Sequence, residues 1–309
     1  MRALVVDHSV PAGLRLGDAP VPELAPHQAL VRVMATSLND GEIRYVLKNT
    51  PDGAVLGWDA AGVVEKAAAD GSGPAVGTLV VTLGAAGAWA ELRAVDTDML
   101  GVVPDGADMA AISTIPVAGL TALRALHRLG PILGRKVLVT GATGGTGRYA
   151  VQLARLAGAH VVATTGNPDA HGESLRALGA HQVITDPTAV DTSVDGVVDL
   201  IGGRQLVDSF HALTERGTLV AVGHAANEGE QFPFGSFFGD QRRHDRSIVT
   251  FFLLACTDLA PDLTWLASQV TSGTLDPNIS WRGDWSQAAD AANALLERRL
   301  HGKAMLEFH

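Results

Sequence analysis

The chain reads Lys136-Val137-Leu138-Val139-Thr140-Gly141-Ala142-Thr143-Gly144-Gly145-Thr146-Gly147-Arg148 where an apolar, β-branched run breaks into a glycine-rich turn. Helix-forming sequence follows at once, from Tyr149 to Leu156. This pattern predicts a strand, a tight turn and a helix N-terminus, whose free backbone N–H groups and positive dipole end can bind a diphosphate. Read from Ala142, the turn is A-x-G-x-x-G, the dinucleotide fingerprint with alanine for its first glycine. A second apolar run at 159–164 predicts the next parallel strand, which favours dinucleotide binding over an ordinary tight turn.

The end of that second strand indicates which dinucleotide binds. NAD sites usually place Asp or Glu there, to bond the 2′-hydroxyl of the adenine ribose. This chain has Thr164-Thr165-Gly166-Asn167 instead, with no carboxylate before Asp169. Hydroxyl and amide donors can bond a 2′-phosphate that a carboxylate would repel, so the sequence favours NADPH. NADH remains the alternative, because the loop has no lysine and the nearby cations are Arg148 and Arg176.

Composition restricts the class of protein. A chain of 309 residues is more than one core comfortably supports, which predicts two domains. The net charge of −10 argues against a nucleic-acid partner and gives no attraction to anionic membranes. The longest apolar run, Ser247 to Cys256, has the length of a strand. With one cysteine and no signal peptide pattern at the N-terminus, we expect a cytoplasmic protein.

Strand and helix patterns differ between the first third and the middle of the chain. Residues 1 to about 115 predict short strands separated by Pro and Gly, as in a β-barrel or sandwich. From about 118 to 255, strands and helices alternate, and six strands predict a doubly wound parallel sheet, hence an α/β fold. Its last two strands are expected at Thr218 to Gly223 and Ser247 to Leu254. The tail predicts helices at 263–271 and 286–299 and a final strand at 304–308.

Seven segments, in order along nearly the whole chain, resemble the medium-chain dehydrogenase/reductase superfamily, and most closely its zinc-independent quinone oxidoreductase group. Besides the glycine turn, they are Ser37-Leu38-Asn39, Gly57-Trp58-Asp59-Ala60-Ala61-Gly62-Val63-Val64-Glu65, Val76-Gly77-Thr78, Gly87-Ala88-Trp89-Ala90-Glu91, Ala118-Gly119-Leu120-Thr121-Ala122 and Gly302-Lys303-Ala304. The resemblance implies a GroES-like β-rich catalytic domain at 1–117, completed by 259–309. It also implies a Rossmann domain at 118–258, with the nicotinamide in the cleft between the two domains.

The zinc alcohol dehydrogenases of this superfamily need a Cys ligand in the first of these segments and Gly-His-Glu in the second. Here Asn39 stands at the cysteine position and Trp58-Asp59 replaces His-Glu. Zinc sites are built from Cys, His and carboxylate ligands at suitable spacing. The eleven histidines form no such cluster, so we expect no metal.

The expected absence of a metal restricts the chemistry. Hydride delivery to an isolated ketone needs strong polarisation of its oxygen, which a metal supplies. Quinones and alkenes conjugated to a carbonyl delocalise the incoming charge and need only hydrogen-bond donors. The sequence therefore predicts an NADPH-dependent reductase of quinones or enones. The alternatives are a zinc-type alcohol dehydrogenase and a catalytically silent NADPH-binding sensor.

Three residues are the candidates for substrate contact. By the resemblance, Asn39 lies at the cleft, where its amide could donate to the substrate oxygen; equally, it could cap a turn at Gly41-Glu42. Tyr45 is a possible proton donor or a packing residue, and Trp58 a pocket wall or a core residue. Asp40 and Glu42 are expected to be solvated or helix-start carboxylates.

A larger set is predicted to hold the cofactor. By the resemblance, Thr121 contacts the nicotinamide side, and Phe251 and Phe252 lie in the last strand of the sheet. In this family that strand often pairs across a dimer and its neighbourhood touches the carboxamide, so we expect a homodimer that acts on a small molecule. The candidates are Thr121, Gly141, Ala142, Gly144, Gly145, Thr146, Gly147, Arg148, Thr164, Thr165, Gly166, Asn167, Val222, Gly223, Phe251 and Phe252.

Overall fold

The computed structural model of the protein describes residues 1–240 and 243–308. The strands are β1 (Arg2–Val6), β2 (Leu14–Asp18), β3 (Gln28–Leu38), β4 (Asp59–Lys66), β5 (Leu79–Leu83), β6 (Leu92–Asp96), β7 (Leu100–Val102), β8 (Lys136–Val139), β9 (His160–Thr164), β10 (Gln182–Ile184), β11 (Val194–Asp199), β12 (Leu213–Ala221), β13 (Ser247–Thr250), β14 (Ile279–Asp284) and β15 (Lys303–Glu307). The α-helices are α1 (Met109–Ile112), α2 (Leu120–His127), α3 (Gly145–Leu156), α4 (Pro168–Ala177), α5 (Gly203–His211), α6 (Leu259–Thr271) and α7 (Ala288–Leu296).

The chain forms two compact units. One unit contains residues 1–120 and the tail from residue 254, and the other contains residues 121–253. Among the described residues, no helix has both the length and the hydropathy that a membrane span requires.

The first unit is built on a largely antiparallel sheet with the order β14-β15-β3-β4-β5-β7, and β6 also pairs with β3. β3 alternates between buried and solvent-facing positions and then becomes buried throughout its last four residues. The tail strand β15 pairs antiparallel with this buried end, Ala304 opposite Leu38. The large side chains Trp89 and Trp285 fill the adjoining core. Polar groups in this part of β3 are therefore enclosed by the tail of the chain.

The second unit contains a parallel sheet with the order β10-β9-β8-β11-β12-β13. Strand order reverses between the neighbours β8 and β11, since β9 and β10 lie on one side of β8 while β12 and β13 lie beyond β11. Ligands of doubly wound sheets bind outside the carboxyl ends of the strands at such a switch point. The prediction of an α/β fold with a doubly wound parallel sheet is confirmed.

The prediction that Phe251 and Phe252 lie in the last strand is wrong. β13 ends at Thr250, opposite Ala221, the last residue of β12. The Phe251 N–H still donates to the Ala221 oxygen at 3.1 Å, whereas Phe252 lies beyond the end of β13 and is 67% exposed. The apolar run continues instead into a short helical turn at Leu253–Ala255.

Other predicted boundaries also change. Val222 and Gly223 follow β12 instead of ending it, and β6 begins only at Leu92. The sequence pattern does not predict β2 or β14. β14 is rich in polar and small residues, Ile-Ser-Trp-Arg-Gly-Asp, and is stabilised by its parallel pairing with β15.

Candidate active site

The glycine turn connects β8 to α3 and leaves the first turn of the helix open. Gly141 has φ +60°, a left-handed conformation that favours glycine. A Cβ at Gly147 would lie 2.4 Å from the Gly141 oxygen, so glycine is needed there for the helix to pack against the turn. A Cβ at Gly144 would meet only that oxygen, at 3.5 Å. The immediate approach past Gly144 to the helix N-terminus is therefore open.

Backbone donors of α3 point toward that approach. The first intrahelical bond runs from the Arg148 N–H to the Gly144 oxygen, at 3.0 Å. The preceding N–H groups, those of Gly145, Thr146 and Gly147, have no acceptor within a regular helix. Gly144, the N-cap residue, has no side chain to satisfy them. This arrangement fits the diphosphate of a dinucleotide.

Arg148 stabilises the glycine turn by a side-chain hydrogen bond. Its side chain is buried, and Nε donates to the Thr143 oxygen at 3.1 Å. Ala142, at the place of the first fingerprint glycine, is also fully buried. Both residues therefore support the shape of the turn, and contact of either with a cofactor stays a prediction.

The loop after β9 packs beside the glycine turn. The Thr164 hydroxyl accepts the Gly141 N–H at 3.2 Å, and the Thr164 carbonyl accepts the Ala142 N–H at 3.1 Å. Thr165 is buried, whereas Gly166 and Asn167 are exposed. The Asn167 side-chain oxygen accepts the Ala170 N–H at 3.0 Å and so caps α4. The structure thus brings the predicted diphosphate and ribose segments together, with an exposed Gly166–Asn167 tip.

The ends of β11 and β12 lie at the same edge of the sheet. The backbone N–H groups of Val222 and Gly223 both donate to the Asp199 oxygen, at 2.8 and 3.1 Å. Thr121 is buried at the start of the second unit. By the resemblance, Phe251 is also expected near the cofactor. Its ring centroid lies 5.9 Å from the guanidinium carbon of Arg128.

The first unit contains a buried polar cluster, which we call the Asn39 cluster and define as Asn39, Glu42, Asp59 and Lys303. The Asn39 amide nitrogen donates to Glu42 Oε2 at 2.7 Å and to Asp59 Oδ2 at 2.8 Å. Lys303 Nζ donates to Asn39 Oδ1 at 2.6 Å and lies 3.4 Å from Asp59 Oδ2. One amide therefore bridges two carboxylates and an ammonium group.

Glu42 connects this cluster to Trp58. The Trp58 N–H donates to Glu42 Oε1 at 2.6 Å. Arg93, also buried, donates from Nη2 to the Trp58 oxygen at 3.0 Å. Burial and the Asp59 carboxylate raise the pKa of Glu42 to about 8, and burial lowers the pKa of Arg93 to about 10. The backbone of Trp58 is thus held on both sides by buried side chains, its N–H by Glu42 and its oxygen by Arg93.

Comparison with known proteins identifies the family. Residues 25–105 match the family model of the alcohol dehydrogenase GroES-like domain, and residues 145–268 match that of the zinc-binding dehydrogenases. The chain is 29% identical to the chloroplast envelope quinone oxidoreductase homolog of Arabidopsis thaliana, over 96% of this chain and 94% of that protein. The solved structure of a 2-haloacrylate reductase superposes with a TM-score of 0.86 at 25% identity, covering 99% of both chains.

This chain is a medium-chain dehydrogenase/reductase of the quinone oxidoreductase-like group. The family is one of oxidoreductases, and its fold implies a nicotinamide dinucleotide site in the second unit. Erythronolide synthase EryA2 of Saccharopolyspora erythraea is 37% identical over 206 residues, which are 62% of this chain. The chain spans only 6% of the length of that relative.

The donor set of this medium-chain dehydrogenase/reductase does not fit zinc. The Asp59 and Glu42 carboxylates accept hydrogen bonds from the Asn39 amide, and the Lys303 ammonium lies beside Asp59. An amide and an ammonium group donate hydrogen bonds where a zinc site needs lone pairs. Within residues 1–240 and 243–308, no group of three or more His, Cys, Asp or Glu side chains is arranged to hold a metal ion.

The structure changes the interpretation of the candidate catalytic residues. The Asn39 amide already makes two donor bonds, so it reaches a substrate only if one breaks. Glu42 is fully buried, so the prediction of a solvated carboxylate is wrong for this residue, whereas its alternative position at a helix start is confirmed, because a short helix spans Glu42–Val46. Asp40 pairs with Arg44 at 2.8 Å. Tyr45 is 42% exposed and its side chain makes no bond to the cluster, while Trp58 is half-buried.

Sequence reasoning did not predict the buried hydrogen bonds of Glu42 and Lys303 in the Asn39 cluster, nor the one that Thr140 donates to Asp199 at the carboxyl ends of β8 and β11. One signal was available for the last two: Thr140 and Asp199 are polar residues that directly follow or end apolar β-branched runs. For Glu42 and Lys303, which are far apart along the chain, no local pattern shows that they meet.

Proposed function

We propose that the protein is an NADPH-dependent reductase of quinones or α,β-unsaturated carbonyl compounds and that it works without a metal. The Asn39 cluster is the observation that carries this proposal. By the resemblance, Asn39 stands at the cysteine position of the zinc enzymes, and the Lys303 ammonium donates to it. The site therefore offers hydrogen-bond donors and fixed charges instead of a Lewis acid. Substrates that delocalise negative charge are the ones such a site can reduce.

NADPH is proposed because of the exposed tip after β9. Neither Gly166 nor Asn167 carries a negative charge, and a Cβ at Gly166 would meet no protein atom within 4 Å. There is room at this tip for a 2′-phosphate, and the Asn167 amide can donate to it. The reduced nicotinamide supplies a hydride when bound, and the chain's own residues hold the diphosphate, exclude water and orient the substrate.

The relatives support the substrate class. One is named a quinone oxidoreductase homolog, and another is a reductase of 2-haloacrylate, whose alkene is conjugated to a carboxylate. The match to a polyketide synthase adds enoyl thioesters to the substrates that deserve testing. Trp58 is proposed as a pocket wall and Tyr45 as a proton donor. Asn39 is proposed to contact the substrate oxygen by exchanging one of its two internal bonds.

The direct experiment is a panel of quinones, enals, enones and enoyl thioesters, each assayed with NADPH and with NADH. Turnover of at least one conjugated substrate with NADPH, retained in a chelator, supports the proposal. A protein that binds NADPH and turns over none of them is the silent sensor that the sequence left open.

We also propose a cytoplasmic homodimer. β13 lies at the edge of the parallel sheet, so one side of its backbone is available to pair with the same strand of a second copy. Ser247 and Thr250 are exposed and the strand between them is half-buried. Light scattering after gel filtration measures the mass. The Phe251 N–H faces β12, so by alternation the Thr250 N–H faces the open edge. A Thr250→Pro variant, which removes that edge donor, should yield monomers if this edge pairs.

A further inference from the structure

Asp199 is a carboxylate at the switch point of the parallel sheet that no solvent reaches. It ends β11, directly beside β8, where the strand order reverses. Its exposed fraction is 0%, as is that of its partner Thr140, the residue after β8. Burying a carboxylate is costly unless hydrogen bonds compensate, so the partners of this side chain define its role.

The side chains of Asp199 and Thr140 tie two loops together. The Thr140 hydroxyl donates to Asp199 Oδ1 at 2.6 Å and accepts the Leu200 N–H at 2.9 Å. Asp199 Oδ2 accepts the Gly202 N–H at 2.8 Å. Thr140 opens the glycine turn, and Leu200 and Gly202 belong to the loop after β11. The pair therefore fixes the start of the glycine turn against that loop.

The backbone of Asp199 also binds the residues that follow a third strand, β12. Its oxygen accepts the N–H groups of Val222 and Gly223, which follow β12. One residue thus connects the carboxyl ends of β8, β11 and β12.

The loops that Asp199 joins are in tight contact. A Cβ at Gly223 would lie 2.6 Å from the Leu200 oxygen, and a Cβ at Gly141 would lie 2.7 Å from Ile201 Cδ1. A shift of the loop after β11 would therefore displace the glycine turn.

We propose that Asp199 and Thr140 form a positioning pair that holds the glycine turn in its cofactor-binding shape. This inference rests on the proposed function in one respect: it takes the glycine turn as the site of the cofactor diphosphate. The pair acts on the diphosphate segment and not on the ribose tip, so its loss weakens NADPH and NADH alike. Neither side chain touches the cofactor, because both are fully enclosed.

The test measures dissociation constants for NADPH and NADH by fluorescence of the reduced nicotinamide, together with the melting temperature of each variant. Asp199→Asn and Thr140→Val should each raise both constants about tenfold or more, because each leaves a buried polar group without its partner. The double variant should bind no worse than the worse single one, since the two residues act as a unit. Thr140→Ser keeps the hydroxyl and should bind as the wild type does.

Asp195→Asn is the matched control. Asp195 lies on the same strand and accepts the Lys136 N–H of β8 at 2.7 Å, but at the amino end of the sheet. Its variant should keep both constants within about twofold. Wild-type constants in folded Asp199→Asn would overturn the positioning role. If that variant does not fold, equal constants for Thr140→Val and Thr140→Ser overturn it.

The same titration separates this inference from the proposed function. A wild-type preference for NADH contradicts the proposed cofactor, while the fold-change between the variants and the wild type still decides the role of the pair. Wild-type protein that binds neither dinucleotide overturns both.

Discussion

Lys303 Nζ lies 2.6 Å from Asn39 Oδ1, although the two residues are 264 positions apart in the chain. The contact inserts the ammonium group of the last strand beneath the end of β3. There it lies beside Asp59, whose Oδ2 is 3.4 Å away. All three side chains are buried, so the Lys303 ammonium is balanced by the Asp59 carboxylate within the cluster instead of by water.

Replacing Lys303 by Met should strongly destabilise the first unit. The variant keeps most of the side-chain volume but leaves the buried Asp59 carboxylate without the ammonium group. Breaking a buried ion pair in this way costs roughly 3–5 kcal/mol. Urea unfolding measures the loss. Arg32→Met is the control, because Arg32 pairs with Glu65 at the surface, where such pairs contribute about 0–1 kcal/mol. Equal losses in the two variants would contradict the account of the cluster.

Glu42 should make the stability of the protein depend on pH. Its pKa is raised from 4.5 to about 8 in the folded state. Between these values the folded protein holds a proton that the unfolded chain has released. The free energy of unfolding therefore falls as pH rises through this window and levels off above about pH 8.

Glu42→Gln removes the titrating group and should remove this slope. The new glutamine amide at position 42 lies against the Asn39 amide and lowers the free energy of unfolding. Because an amide does not titrate, the cost of this contact is the same at every pH in the window. Unfolding free energies of the two proteins, measured from about pH 5 to about pH 9, give the difference. Parallel profiles would show that Glu42 does not titrate there.

How much of this could be foreseen depends on whether the determinants are local. The glycine turn, its strand and its helix follow from adjacent residues, so Gly141 to Gly147 predicted them directly. For Glu42, the local sequence indicates the helix start but not the burial, because burial depends on Trp58 and Asp59, which reach it only in the folded sheet. The continuous apolar run predicts a strand through Phe251 and Phe252, whereas the end of β12 decides where pairing stops.

Substitutions of two glycines in the turn should have different effects, one on cofactor binding and the other on stability. Gly144→Val should leave the melting temperature near that of the wild type and abolish cofactor binding, because its side chain enters the free approach to α3. Gly147→Ala should lower the melting temperature, because its Cβ would lie 2.4 Å from the Gly141 oxygen. Thermal unfolding and cofactor titration of both variants test this. Normal binding by a folded Gly144→Val would mean that the diphosphate lies elsewhere.

A negative charge at the ribose tip should erode the preference for NADPH. Thr165→Asp is one way to introduce it, but Thr165 is buried, and Gly166 is exposed with open space around it. Gly166→Asp should therefore weaken NADPH binding selectively, by repulsion of the 2′-phosphate. Gly166→Asn has the same shape without the charge and serves as the control. We expect wild-type protein to bind NADPH at least about tenfold more tightly than NADH. An unchanged affinity ratio in Gly166→Asp would count against a 2′-phosphate at this tip.

The most direct test of metal-independent reduction is a paired rate measurement on purified protein with its metal content determined. We predict turnover of a quinone or conjugated enone with NADPH, unchanged by chelator, negligible oxidation of primary alcohols, and no stoichiometric zinc. One bound zinc per chain together with chelator-sensitive alcohol oxidation would contradict the account.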